Sequence, residues 1–205
     1  MPEWTSQALA EWAHHDRVRF FNTLLGVRPA HLVGTASEEC LPNLAVFNSA
    51  CHISASPPRI GILSRSPTVR RDTLENIRST GAWTLNAITQ AMLPAAHRTA
   101  EKCPPSESEF DRVGLEPEWR PGFPAPAVQE SPLQIGLRLV EDIPIPSADL
   151  RLLVGAVEWV QLPEHGLAQD RSLLPDRLGL LGSVGLDAYA SPQEVARFEH
   201  RSRSS

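Results

Sequence analysis

The sequence predicts a mainly β fold, a barrel with peripheral helices, and three observations favour it. At least six short apolar segments have strand length, few segments have helical periodicity, and strands and helices do not alternate regularly. A regular alternation would instead favour a doubly wound parallel sheet. The 205 residues suit an N-terminal helical segment over 1–26, a barrel domain over 27–190 and a C-terminal helix and tail over 191–205.

The N-terminal segment favours two helices outside the barrel. Thr5 or Ser6 can cap the first helix, and the following apolar residues share one face. A second helix begins at Asp16 and ends at Gly26, because glycine is a natural helix stop. The pair is predicted either to form a lid or dimer contact, or to cover the core.

Apolar runs place the strands and the remaining helices. We predict strands over 30–36, 43–53, 59–64, 83–88, 133–143 and 150–162. We predict helices over 72–80 and 90–100, and a short last helix from about Ser191–Pro192. Asn48 and Ser49 interrupt the second strand, which indicates a bulge or the approach of a ligand, because buried polar groups need partners.

The stretch from Ser54 to Gly81 carries most of the polar chemistry. Its strand is followed by the loop SRSPTVRR, which holds three arginines and three hydroxyls, and by the D-x-x-E pattern of a capping box. Arginine forks match phosphate oxygens, and a helix N-terminus favours anions, so the loop is a candidate anion site. The alternative is a solvated loop whose arginines pair with Asp72 or Glu75.

An ordered series of motifs extends this stretch over about residues 24 to 190. SASPPRIGILS is followed by RRDTLENIRSTGAWTLNAI, and the pattern includes Arg28-Pro29 upstream and Glu130-Ser131-Pro132 downstream. The series resembles the flavin reductase-like family, the FMN-binding split β-barrels. This chain departs from the family at Gly136, where cysteine is frequent, and between Arg177 and Tyr189, where it carries extra residues.

The resemblance implies an FMN site, with FAD possible, and no catalytic residue is assigned because the chemistry takes place on flavin N5. The segment along the isoalloxazine edge would comprise Phe47, Asn48, Ser49, Ala50 and Cys51. The ribityl phosphate would be surrounded by Ser64, Arg65, Thr68, Arg70, Arg71 and Thr73. His97 and Phe123 are candidates to face a nicotinamide or substrate. Phe123 lies in the proline-rich stretch 101–130, either a gate over the flavin or a surface loop fixed by its prolines.

The resemblance also implies an activity. The expected protein is a homodimeric flavin reductase that uses NADH or NADPH and supplies reduced flavin to a partner monooxygenase. Two alternatives remain at this point. One is an FMN-bound electron carrier or a reductase of another small molecule, and the other is a non-enzymatic flavin-binding protein.

Composition and motif spacing exclude several other classes. The net charge of −5 and pI of about 5.8 argue against nucleic acid and anionic membranes as partners. Three scattered cysteines without C-x-x-C, and an N-terminus without a basic n-region, predict reduced thiols and a cytoplasmic location. The histidine spacing fits no metal motif. A hydrolase nucleophile elbow fails because Leu181 stands at its first glycine.

Overall fold

The computed structural model describes residues 1–65, 72–104 and 106–198. Its strands are β1 (Arg28–Pro29), β2 (His31–Ala36), β3 (Pro42–Phe47), β4 (Cys51–Ala55), β5 (Pro58–Arg65), β6 (Ala82–Ala87), β7 (Pro117–Glu118), β8 (Ala127–Val128), β9 (Gln134–Ile145), β10 (Leu150–Gln161), β11 (Gly182–Val184) and β12 (Ala188–Ala190). Its α-helices are α1 (Ser6–Ala10), α2 (His14–Thr23), α3 (Asp72–Thr80), α4 (Leu93–Arg98) and α5 (Glu109–Val113). The fold is therefore mainly β, as the sequence predicts.

A seven-stranded antiparallel sheet organises the chain, in the order β3-β2-β6-β9-β10-β5-β4. Its two edge strands, β3 and β4, are joined by only three residues, Asn48 to Ala50. The four Cα steps from Phe47 to Cys51 span at most about 14 Å. The edges of a flat seven-stranded sheet would lie about 29 Å apart. The sheet must therefore curl until its edges approach each other, which gives a barrel that is split between β3 and β4.

The barrel interior explains why these strands are apolar. Val33, Leu85, Leu137 and Leu153 come from four neighbouring strands and pack with Trp83, and all are fully or almost fully buried. Leu74 and Ile77 of α3 close this core on one side. The helix begins at Asp72 and ends before Gly81, whose φ of +71° is typical of a helix stop. The prediction of this helix is confirmed.

The N-terminal helices lie outside the core. The Thr5 hydroxyl caps α1 by accepting from the Ala8 N–H at 3.3 Å, as predicted. Neither α1 nor α2 has a buried residue in the described part of the chain. Trp12 and Phe20 instead stack edge to face, with ring centroids 5.2 Å apart. No helix among the described residues is long and apolar enough to span a bilayer.

Three predictions about secondary structure are wrong. The predicted strand over 43–53 is two strands, because the chain leaves β3 at Asn48 and joins the opposite edge of the sheet. Residues 191–198 form no helix, and Val195 and Phe198 are almost fully exposed, so apolar packing does not stabilise a short helix there. The stretch 101–130 is not a single loop, because it contains α5, β7 and β8.

Candidate functional site: a groove at the split of the barrel

A groove follows the split of the barrel, between β3 and the part of β5 that extends beyond its pairing with β4. It consists of two adjoining cavities of about 580 and 450 Å³. Both are lined by Val46, Phe47, Leu63, Arg65 and Ala100, so they form one continuous site. We call the 450 Å³ part, lined also by Asn48, Ser49 and Tyr189, the ring end. We call the 580 Å³ part, lined also by Ser64, Asp72 and Thr73, the phosphate end.

Backbone donors lie at the ring end. Asn48 and Ser49 line this end and belong to no strand, and their N–H groups donate to no acceptor in the described ranges. The hydroxyl of Ser183, which also lines this end, is buried without a hydrogen-bond partner there. Polar groups without a protein partner bond to water or to a ligand. The ring end therefore offers hydrogen-bonding groups to a ligand.

The side chains of Asn48 and Ser49 hold this segment in place. Ser49 Oγ donates to the Leu63 carbonyl at 3.0 Å and accepts from the Leu63 N–H at 3.1 Å. Asn48 Nδ2 donates to the Gly185 carbonyl at 2.8 Å. The Ser49 hydroxyl is therefore occupied by the protein, which leaves the backbone N–H groups as the donors this segment offers to a ligand.

The described residues of the predicted anion site line the phosphate end. Ser64, Arg65 and Thr73 line it together with Asp72, the first residue of α3. The N–H groups of the first helical turn and the Arg65 guanidinium both favour an anion at this place. Thr68, Arg70 and Arg71, which are further predicted ligands, lie outside the described residues.

A buried polar network supports the floor of the phosphate end. The orientation of the Asn43 amide that satisfies all its partners has its oxygen accepting from the hydroxyls of Thr35 at 3.1 Å and Thr73 at 3.2 Å. Its nitrogen then donates to Glu109 Oε2 at 3.3 Å. The Thr73 hydroxyl is thus tied to Asn43, and this network fixes the start of α3 against β3.

Glu109 brings a carboxylate to the phosphate end. Its Oε2 accepts from the Leu44 N–H at 3.1 Å, and burial raises the pKa of this carboxyl above its usual range. Lys102 and Glu101 line the same end. Sequence reasoning missed these three residues as site residues. The one available signal was that Lys102 is the only lysine of the chain.

His97 lies next to the groove and does not line it. Its Nδ1 is 3.1 Å from the hydroxyl of Tyr189, and the Tyr189 ring lines the ring end. Burial raises the pKa of the Tyr189 hydroxyl. His97 therefore contacts the site through Tyr189, another residue to which the sequence gave no role in the site.

Three predicted site residues lie elsewhere in the structure. Ala50 and Cys51 line a different, mainly apolar cavity on the other side of the Asn48–Ala50 segment. Phe123 is buried, with its ring centroid 5.5 Å from that of Trp159 on the outer face of the sheet. The predicted gate is therefore a packed wall at this position, and the Phe123 ring is not available to stack on a ligand of the groove.

The chain folds as a split barrel with a groove along its split. The family model of the flavin reductase like domain matches residues 27–177 of this chain. The chain belongs to this family, which confirms the family resemblance of its sequence motifs.

Solved structures give the same fold. A candidate flavin reductase with a split barrel domain from Shewanella frigidimarina NCIMB 400 is 30% identical, with a TM-score of 0.93 over 98% of this chain and 100% of that one. Component B of nitrilotriacetate monooxygenase from Bacillus cereus is 23% identical, with a TM-score of 0.84 over 98% of each chain. An FMN-binding protein from Thermus thermophilus with bound 1-cyclohex-2-enone is 19% identical, with a TM-score of 0.73 over 97% and 100%. The last two likenesses concern the fold alone.

Proposed function

We propose that this protein binds FMN in the groove and reduces it with NADH or NADPH. The observation that carries the proposal is the order of polar groups along the groove. The N–H groups of Asn48 and Ser49 lie at one end, the N-terminus of α3 lies at the other, and Arg65 lines both parts. This order matches the two polar ends of FMN, the pyrimidine edge of its ring and its terminal phosphate.

The residues of this chain bind and orient the flavin in this proposal. The flavin itself supplies the redox chemistry, since its N5 accepts the hydride of a nicotinamide. The N–H groups of Asn48 and Ser49 would donate to the pyrimidine edge and would stabilise negative charge there. Val46, Phe47 and Leu63 would pack against the ring. Arg65, with Thr68, Arg70 and Arg71 as further proposed ligands, holds the phosphate.

The proposed biological role is the supply of reduced flavin to a partner monooxygenase. Family membership supports an oxidoreductase, and the fold neighbour from Bacillus cereus is by its name a monooxygenase component. We further propose a homodimer in which a second copy covers α1 and α2, because neither helix has a buried residue in the described chain. A molar mass of 22.5 kDa for the flavin-bound protein, measured by light scattering, would contradict the dimer.

Steady-state oxidation of the nicotinamide tests the activity. The protein is mixed with excess FMN and either NADH or NADPH, and the nicotinamide absorbance is followed. The proposal predicts turnover well above the uncatalysed rate with at least one donor, and loss of most of it in Arg65→Ala at limiting FMN. Bound FMN with no oxidation of either nicotinamide would overturn the reductase and leave an electron carrier or a flavin-binding protein.

A further inference from the structure

A second cavity lies at one end of the barrel, separate from the groove. It has a volume of about 570 Å³, which is in the range of small-molecule sites. Its wall is mainly aliphatic and includes Ile60, Leu85, Leu133 and Leu180. Ala30 is the only residue that lines both this cavity and the groove among the described residues.

The segment from Asn48 to Ala50 separates the two sites. Asn48 and Ser49 line the groove, whereas Ala50, Cys51 and His52 line the barrel-end cavity. A molecule in this cavity would therefore lie behind the segment that we assign to the flavin edge, and it would not need to displace the flavin.

His31 is the unusual residue of this cavity. Its imidazole lines the wall, and its Nδ1 is enclosed without a hydrogen-bond partner in the described chain. Neither nitrogen of the ring takes part in a hydrogen bond there. Burial lowers the pKa of His31 to about 4, so the ring is neutral at physiological pH. A neutral imidazole has one donor and one acceptor, and leaving the buried Nδ1 unused in an apolar wall is costly.

The other polar side chains of the wall do not hydrogen-bond to His31. The Arg28 guanidinium uses Nη2 to donate to the carbonyls of Asn22 at 3.0 Å and Gly185 at 3.5 Å. The Cys51 thiol donates to the Gly61 carbonyl at 3.7 Å, and His52 is exposed. Arg28 Nε is also buried without a partner among the described residues, so the aliphatic wall holds two unpaired polar groups, His31 Nδ1 and Arg28 Nε.

We propose that the barrel-end cavity binds an apolar molecule with a hydroxyl or carbonyl group that hydrogen-bonds to His31. The aliphatic wall supplies the affinity for the apolar body, and His31 fixes the orientation of the polar group. This inference does not depend on flavin binding in the groove.

Phenol and toluene are matched probes, because they differ only by a hydroxyl in place of a methyl group. A phenol hydroxyl both donates and accepts, so it suits either tautomer of His31. Titrations followed by backbone amide chemical shifts should show saturable binding of phenol, about threefold to tenfold tighter than toluene. In His31→Phe, phenol should lose this advantage while toluene affinity stays within about twofold, as one lost hydrogen bond implies.

Two further measurements keep the test decisive. The imidazole nitrogen resonances of wild-type His31 should shift with phenol and not with toluene. This measurement uses only the wild-type protein, so it does not depend on the stability of a variant. Saturating FMN should leave phenol affinity within about twofold, because the two linings share one residue. No saturable binding, equal affinities of the two probes in wild type, or displacement of phenol by FMN would each overturn the proposal. Loss of FMN binding alone would affect only the proposed function.

Discussion

Ser49 and Leu63 are joined by two hydrogen bonds across the split of the barrel. The Ser49 hydroxyl donates to the Leu63 carbonyl and accepts from its N–H, so one side chain makes the bonds that a neighbouring strand would make. This clamp lies between β3 and β4, where the chain crosses from one edge of the sheet to the other. It positions the N–H groups that line the ring end of the groove.

The first prediction concerns this clamp. Ser49→Ala removes both hydrogen bonds and leaves the Leu63 N–H and carbonyl without these partners, which should lower the free energy of unfolding by about 1–3 kcal/mol. FMN affinity should fall as well, because residues 48–50 lose their anchor. Urea unfolding and an FMN titration measure the two effects. Ser79→Ala is the matched control, since the Ser79 hydroxyl bonds only to Asn76 of its own helix. Unchanged FMN affinity in Ser49→Ala would contradict the positioning role.

The second prediction concerns the carboxylate at the phosphate end. Glu109→Gln keeps an acceptor for the Leu44 N–H and removes a negative charge that faces the same cavity as Asp72 and Glu101. At about pH 8, FMN affinity should rise about threefold, because repulsion of the phosphate is relieved. Riboflavin, which lacks the phosphate, should bind equally well to both proteins.

The raised pKa of Glu109 also predicts how FMN affinity changes with pH. Burial raises the pKa of Glu109, so the carboxylate becomes charged at higher pH than an exposed glutamate, and FMN affinity should decline through that range. The Gln variant should lack this component of the decline. Glu107→Gln, an exposed neighbour outside the groove lining, serves as the control. Equal FMN affinity of wild type and Glu109→Gln at all pH values would refute the assignment of the phosphate end.

The third prediction concerns stability and His31. Its pKa is lowered from 6.5 to about 4 in the folded protein, so below pH 6.5 the unfolded chain binds a proton that the folded chain does not. Stability should therefore be lost as the pH falls from 6.5 towards 4, by about 1–2 kcal/mol between pH 7 and pH 5. His31→Phe should flatten this part of the curve of unfolding free energy against pH. An unchanged slope in the variant would show that His31 is not buried in the neutral form.

The fourth prediction concerns Gly136, which stands where the family frequently has cysteine. A Cβ at this position would lie 2.2 Å from Trp159 ring atoms, so Gly136→Ala must displace a ring that the Arg120 guanidinium covers at 4.0 Å. The cost should be about 1–3 kcal/mol in the free energy of unfolding. In a Trp159→Leu background the same change should cost less, and a double-mutant cycle measures the difference. Additive effects would argue against this packing.

Much of the fold could be predicted because local patterns determine it. The apolar run of β5 and the helix between Asp72 and Gly81 were readable from short segments, and the family motifs supplied their order. The break at Asn48 and Ser49 was visible as polar residues inside a strand. Its consequence was not, because the partner Leu63 is 14 residues away and only the curl of the sheet brings it close.

The site was less predictable, since distant residues complete it. Glu109 reaches the N–H of Leu44 across 65 residues of sequence, and no local pattern indicates this contact. The length of the stretch 101–130 and its aromatic residues suggested a gate, and its prolines suggested a fixed surface loop, whereas the Phe123 ring is buried beside Trp159. Apolar burial thus outweighed the loop-like composition of the stretch.

The assignment of a flavin to the groove is tested most directly by titrating FMN and riboflavin into wild type, Arg65→Ala and Arg59→Ala. Arg65 lines the phosphate end, whereas Arg59 lies at the opposite end of the same strand. The account predicts that Arg65→Ala lowers FMN affinity about tenfold and leaves riboflavin affinity unchanged. It predicts that Arg59→Ala changes neither affinity. Equal FMN affinity of all three proteins, or no saturable flavin binding by the wild type, would contradict it.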